Sequence, residues 1–369
     1  MALTFASPSP PHTFSPAAEV AALDAHFTNR HVPASKPGRL LLVSWNIANL
    51  GAQGRTPAAL EVIAHVLSRF DLCAIQEVKD NFKNFLAILG HMGKGFDYIM
   101  TDTAGNEERL AFIYRKKKVE PRNLFAELAL RPREYPKRDV TVRWKQGGQV
   151  KTQTFKKLVF QPFDRNPFIG SFAAGKIDFT LVNVHLYFGK EEASKKESER
   201  LKFARRVLEI FALAAWSDRY IQEGTPYDRD VILLGDMNVP KMEEDDPAYK
   251  ALTQFKWQPL DYLGDPAGTA TSATAATPES AFLSKTGGSN LGGTQSYDQM
   301  VFAPEGVSAG FPKRILQFGV FDFDNAVFKP LWQKLSQQLP PSKATPKFNL
   351  YVKHHFSDHR PLWVELNTT

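Results

Sequence analysis

The chain has a single cysteine, Cys73, among 369 residues. A disulfide within the chain is therefore impossible, and so is a zinc site built from several thiolates. Cys73 lies inside an apolar strand pattern and reads as a small core residue, not as a nucleophile. No apolar run approaches the roughly 18 residues that a membrane-crossing helix needs, so no membrane partner is expected. The opening MALTFASPSPPHTFSPAAEV has no basic start and no continuous apolar stretch before a cleavage site. The expectation is a protein without a secretory leader, acting in the cytoplasm as a monomer. No internal repeat is found, and no long linker divides two cores.

What is present is a composition able to fold, at 43% hydrophobic and 23% charged, with a net charge of +7. That excess suits polyanionic partners or plain solubility, and charge alone does not separate the two. Residues 1–38, rich in Pro, Ala and Ser with only a short helical pattern over Ala17–Phe27, read as a flexible N-terminal arm. Residues 39–369 read as one domain carrying a basic insertion at about 131–157 and a loop insertion at about 243–296. Arg39–Asn46 (RLLLVSWN) and Asp71–Gln76 are buried-strand patterns. Between them, Thr56 caps and Pro57 opens an amphipathic helix with apolar spacing Leu60, Ile63, Ala64, Leu67. A helix is predicted over Asn81–Leu89, and a long one from about Lys190 to Gln222. Further strands are predicted near Tyr98 and at Arg109–Tyr114, Pro167–Phe172, Ile177–His185, Asp230–Leu234, Gln295–Ala303, Asn349–Lys353 and Pro361–Leu366. Strands that are partly consecutive and partly flanked by helices make an α/β (α+β) layered sandwich with mixed sheets.

The basic stretch alternates as VTVRW, then a Gly147-Gly148 turn, then QVKTQTF, which is a hairpin pattern. It reads either as a solvated, edge-protected hairpin or as a cationic finger lying on a phosphate backbone through Lys137, Arg138, Arg143 and Lys145.

One regularity organises the chemistry. Acidic, amide or histidine residues stand where apolar strands run out: Asn46, Glu77, His185, Asp236, Asn238 and the pair Asp358-His359. A polar residue at one strand end is ordinarily a turn or cap. Six such ends converging in a layered fold would form a basin of carboxylates and imidazoles, whose hard oxygen donors suit Mg²⁺ or Mn²⁺, with Ca²⁺ as a structural ion. His354 and His355, close to Asp358, read as solvent-facing strand residues or as lining of that basin. The run Glu243-Glu244-Asp245-Asp246 reads as solvated acids, and Gly287–Gly293 as a loop without the Lys-Ser/Thr of a phosphate loop.

SWNIANLG, DLCAIQEV, ERLAFIYR, LVNVHLYFG, VILLGDMNVP, SYDQMVF and FSDHRPLWVEL occur in an order that resembles the endonuclease/exonuclease/phosphatase superfamily. These motifs lie within residues 44–366, and Gly-Asp-x-Asn with Ser-Asp-His and an upstream Gln-Glu-Val is a specific combination. The resemblance implies a four-layer α/β/β/α sandwich of two mixed sheets with outer helices, opening at one edge into a metal-dependent phosphodiester-cleaving site. The strand ending on His185, with Asn-Glu-Glu-Arg-Leu upstream, resembles the deoxyribonuclease I branch. The Gly-Asp-Met-Asn-Val and Tyr-Asp-Gln segments differ from the inositol polyphosphate phosphatase pattern.

From the resemblance, His185 pairs with Glu108 and His359 with Asp298. The expected arrangement puts His359 at the attacking water and His185 at the leaving 3′-oxygen, although the two roles are interchangeable at this stage. Glu77 is the leading metal ligand, with Asn46 and Asp358 beside it. Asp236 would bind a second metal or orient water, and Asn238 would hydrogen-bond a phosphate oxygen. Arg109 would reach a phosphate or form a structural salt bridge. The activity implied is DNA (or RNA) hydrolysis to 5′-phosphate and 3′-hydroxyl ends. A phosphatase or phosphodiesterase on a small or lipid-linked phosphate is the enzymatic rival, and a non-catalytic nucleic-acid-binding module is the rival of another class.

Overall fold

The computed structural model describes residues 7–189, 198–222, 228–260, 288–304 and 311–369. Two six-stranded sheets form its centre. The first contains β1 (Arg39–Leu50), β2 (Leu72–Lys79), β3 (Phe96–Met100), β4 (Glu108–Arg115), β13 (Ile315–Val320) and β14 (Leu362–Asn367), in the order β13-β14-β1-β2-β4-β3. The second contains β5 (Glu120–Glu127), β8 (Phe168–Ala174), β9 (Ile177–His185), β10 (Val231–Asp236), β11 (Gln258–Pro259) and β12 (Asp298–Phe302), in the order β11-β12-β10-β9-β8-β5. Each sheet is antiparallel apart from one parallel pair, β1–β2 in the first and β9–β10 in the second.

Because side chains alternate across a strand, each sheet has two faces and both are apolar here. Leu40, Leu42, Leu72, Ala74, Leu110 and Phe112 of the first sheet meet Phe172, Phe179, Leu181, Ile232, Leu234 and Met300 of the second in one buried layer. The other face of the first sheet packs on α1 (Pro16–Asn29), α2 (Pro57–Ser68), α3 (Lys83–Met92), α6 (Lys329–Gln338) and α7 (Pro341–His355). That of the second packs on α4 (Glu199–Gln222) and α5 (Pro247–Thr253). The result is the helix–sheet–sheet–helix sandwich. Thr56 accepts the Ala59 amide at 3.3 Å and Pro57 opens α2, as the sequence signals.

The basic stretch is a two-stranded hairpin, β6 (Arg138–Gln146) and β7 (Gln149–Leu158). Gly147 and Gly148 both have positive φ, +59° and +77°, the backbone a tight hairpin turn demands. Val140 and Val142 bury against α4, which fixes the hairpin to the body.

Two expectations are corrected. The helical pattern over Ala17–Phe27 is a helix, Pro16–Asn29, but it belongs to the body and not to a flexible arm, since its Leu23 and Phe27 are fully buried in the core. Asn349–Lys353, read as a strand, lies inside α7, where Phe348, Tyr351 and Val352 are buried at helical spacing. Half-buried β5, together with β13 and α6, was not anticipated, because their apolar patterns are short or interrupted. Residues 190–197 of the predicted long helix and residues 261–287 of the 243–296 insertion, Gly287 of the glycine run among them, lie outside the described residues.

Candidate active site

Strand parity carries the inter-sheet apolar layer to one edge, where it becomes polar. On β1 the inward series Leu40, Leu42 continues as Ser44 and Asn46; on β10, Ile232, Leu234 continues as Asp236. On β9, Phe179 and Leu181 lead to Asn183 and His185. These three strands, with β2, are the two parallel pairs, so their C-terminal ends lie on one edge; β10 and β9 align Asp236 with His185. The antiparallel neighbours bring their beginnings there, Asp298 opposite Asp236 and Glu108 opposite Lys79. Glu77 breaks the parity rule. A register shift between Ile75 and Val78, with Glu77 at φ +63°, turns its carboxylate from the helix face towards this edge. A bulge beside a functional group is a recognised use of such strain. Gly235, at φ +135°, is required for a similar reason: a Cβ there would lie 2.1 Å from the Val184 carbonyl oxygen.

The side chains converge tightly. Asn46 Nδ2 donates to Glu77 Oε1 and to Asp236 Oδ2, each at 2.9 Å. His185 Nδ1 lies 2.8 Å from Glu108 Oε2, and His359 Nδ1 lies 2.8 Å from Asp298 Oδ2. Both imidazoles turn their Nε2 towards Asp236 Oδ2, each at 3.6 Å. Glu77 Oε1 stands 3.9 Å from His185 Nε2, and Glu77 Oε2 accepts the Asn49 amide at 2.7 Å. Asn238 donates its amide N–H to Asp236 Oδ1 (2.8 Å) and its side-chain amide to the Leu186 carbonyl (3.0 Å).

These contacts set the charges. Burial opposes ionisation of Glu108, but His185, Arg165 and Lys79 outweigh it and hold that carboxyl far below its ordinary range. Burial pushes Asp298 up, against the pull of His359. Burial likewise opposes charge on His359, yet Asp298 and Asp236 prevail and raise the imidazole well above its usual value.

Supporting residues that the sequence did not reveal complete the site. Lys79 Nζ donates to Glu108 Oε1 at 2.8 Å, and Arg165 donates to Glu108 Oε2 (3.3 Å) and to the His185 and Leu186 carbonyls (2.9 and 2.8 Å). Gln76 and Asn183, joined at 2.7 Å across the two sheets, form an amide layer next to the basin. Ser357 donates to the Asn46 carbonyl (2.6 Å) and accepts the His359 amide (3.0 Å), which ties the two ends together. Strand parity could have placed Gln76 and Asn183 in advance. Nothing in spacing marks Arg165, whose partners are more than a strand away in sequence.

Other expected residues stand apart. Arg109, one step from Glu108 on β4, projects to the opposite face. There it pairs with Asp80 at 2.8 Å and covers the Phe82 ring, which fits the salt-bridge reading. Asp358 pairs with Lys353 and belongs to neither carboxylate–imidazole cluster. His354 and His355 are buried in α7, not solvent-facing on a strand. On the hairpin, Arg143 pairs with Asp245 and Arg138 stacks on Phe211 with its guanidinium 3.8 Å from the ring centre, while Lys137 and Lys145 are exposed. Of the acidic run, Asp246 caps α5 by accepting the Ala248 amide at 2.9 Å.

A family model described as the endonuclease/exonuclease/phosphatase family matches residues 43–359. The chain belongs to that family. It is therefore a member of a family of hydrolases. Similar solved structures include an endonuclease/exonuclease/phosphatase family protein from Bacteroides thetaiotaomicron, 16% identical over 90% of this chain and 96% of that one, at a TM-score of 0.46. Truncated TDP2 from Caenorhabditis elegans is 15% identical over 90% and 99% of the two chains, at a TM-score of 0.47. The human Nocturnin catalytic domain is 12% identical over 90% and 94%, at 0.45. No curated protein matches the chain in sequence.

Two groups of donors within this family member could hold a divalent ion: Glu77, Glu108 and His185, and Asp236, Asp298 and His359. The donor set fits such an ion. Asn46 Oδ1 is buried among these carboxylates with no hydrogen-bond partner among the described residues, as expected of an oxygen reserved for a cation. No helix among the described residues is long and apolar enough to cross a membrane.

Proposed function

We propose that the protein is a divalent-metal-dependent nuclease of the deoxyribonuclease I-like type, hydrolysing DNA phosphodiester bonds endonucleolytically to 5′-phosphate and 3′-hydroxyl ends. The observation that carries this reading is the pair of carboxylate-backed imidazoles facing one carboxylate oxygen, each Nε2 3.6 Å from Asp236 Oδ2. Hydrolysis of a phosphodiester needs one group to take a proton from water and another to give one to the leaving oxygen, on opposite sides of the phosphate. Two imidazoles with fixed Nδ1 atoms meet both needs.

His359, oriented by Asp298, takes the proton of the attacking water at Nε2. His185, oriented by Glu108, gives one to the departing 3′-oxygen. Asp236 lies between them and aligns the water, and Asn238 offers a neutral amide to a phosphate oxygen, avoiding the repulsion a carboxylate would bring. Glu77 and Asn46, with Asp236, would hold the cation, and Asp358 would join them only on release from Lys353. When bound, Mg²⁺ or Mn²⁺ would supply positive charge against the negative charge that builds on the phosphate. The exposed Lys137 and Lys145, with Arg138 and Arg143 beside them, extend a cationic hairpin from the body, which favours a polymeric phosphate over a small one.

A cleavage panel tests this: supercoiled plasmid, linear duplex, single-stranded DNA, RNA and an inositol phosphate, each with Mg²⁺, with Mn²⁺ and after EDTA. Nicking of closed circular plasmid that EDTA abolishes and rising salt weakens steeply is the expected result. Turnover of the inositol phosphate alone would replace the reading with the phosphatase one.

A further inference from the structure

A cleft of about 640 Å³ runs from the active-site edge to the hairpin, and the catalytic scheme does not use it. Asn238 and Tyr297 line its inner end, and the Tyr297 ring lies 5.9 Å from that of His359, so cleft and site are continuous. Its outer wall comes from the hairpin, where Trp144 carries the Arg200 guanidinium 3.8 Å from its ring centre. Two residues in the lining matter. Phe188, three positions beyond His185, leaves 65% of its surface exposed and presents its ring to the cleft. Arg206 is 7% exposed, yet its Nε has no hydrogen-bond partner among the described residues. Its Nη1 donates to the Tyr187 and Phe188 carbonyls, at 3.3 and 3.4 Å.

An exposed ring beside a buried, under-used guanidinium matches one ligand chemistry: a planar, uncharged group joined to an anion. A bare phosphate run would leave Phe188 idle, and an apolar chain would cover Arg206 without offering its free Nε an acceptor. Resting on the nuclease reading above, we propose that this cleft is a nucleotide subsite. It takes the nucleotide flanking the scissile phosphate, with its base on Phe188 and its outer phosphate on Arg206. A base can lie flat on Phe188 only once it has left its own stack, so the subsite selects single-stranded or splayed nucleic acid over intact duplex.

The test compares a single-stranded oligonucleotide with an oligomer of equal length made of abasic residues, which keeps the phosphates and lacks the bases. The parent should prefer the base-bearing oligomer, and Phe188→Ala should shrink that preference by roughly 5- to 100-fold, mainly through KM. Phe188→Tyr should restore it. Arg206→Lys, with its thermal midpoint measured alongside, should raise KM for both oligomers. An unchanged preference in Phe188→Ala, or a parent that cuts the two oligomers equally, overturns the subsite while leaving the nuclease reading intact. A parent that cuts neither oligomer nor plasmid, yet hydrolyses a small phosphate ester, overturns the nuclease reading and the subsite together.

Discussion

The two histidine–carboxylate pairs share a geometry and differ in what stands behind them. At one pair, Glu108 is gripped by Lys79 and Arg165, both buried, so two permanent cations join His185 in holding its negative charge. At the other, a serine supports the carboxylate residue, the Ser289 hydroxyl accepting the Asp298 amide at 3.0 Å, and burial pushes Asp298 up. The proton balance therefore differs. Glu108, held far below its ordinary range, stands as an anion 2.8 Å from His185 Nδ1. With Asp298 charged mainly because His359 shares a proton with it, the second pair behaves as one coupled unit. Identical distances of 2.8 Å hide two electrostatic designs. The lesson is that a pair's chemistry is decided one layer further out than the pair itself.

The largest effect should come from removing an imidazole. His359→Ala and His185→Ala are each expected to lower the plasmid-nicking rate by about 10²- to 10⁴-fold with little change in thermal midpoint. Glu77→Ala should do the same by removing the leading cation ligand. The comparison breaks if one histidine variant cuts at the parental rate, because the two pairs would then not serve one reaction.

How much of this was legible before the structure follows the same boundary. Asn46, His185 and Asp236 stand where apolar strand patterns run out, so those patterns announce them, whereas Glu108 and Asp298 came from the family resemblance. Glu77 was marked as a strand-end residue too, but its turn towards this edge was not legible, since a bulge leaves no trace in spacing. Lys79 and Arg165 act through folding of distant segments onto one another, and no local pattern encodes that. The helical pattern over Ala17–Phe27 was legible, but its packing into the body was not: only Leu23 and Phe27 reach the core fully.

A smaller effect sharpens the difference between the pairs. If His359 accepts the water's proton, it must first be neutral, and Asp298 and Asp236 hold it protonated well above the ordinary histidine range. Activity should therefore fall as pH drops through that raised value. Asp298→Asn removes an anion that favours the imidazolium, so the acidic limb of kcat/KM against pH should move to lower pH, on top of a lower maximum. A limb that stays in place, or moves upward, would assign the titration to another group and the base role with it.

The smallest effect concerns stability, and belongs to the charged side of the comparison. Glu209 of α4 is buried and accepts the Tyr187 amide at 2.8 Å, close to the Arg165 that clamps Glu108. Burial raises its carboxyl from 4.5 to about 7, only partly offset by that hydrogen bond and by Arg165. A carboxyl whose folded pKa exceeds its unfolded one binds its proton more tightly in the folded state. The stability this confers is fully present below about 4.5 and is lost as pH climbs through about 7. Over that window the loss is about 3 kcal/mol. Glu209→Gln keeps an acceptor for Tyr187 and removes the titration. Its thermal midpoint should exceed the parent's by a few degrees at pH 8, and the gap should close near pH 5. A gap of constant size across that range would mean that Glu209 keeps its charge, secured by Arg165 as Glu108 is, and the electrostatic support behind His185 would then reach one residue deeper than Glu108.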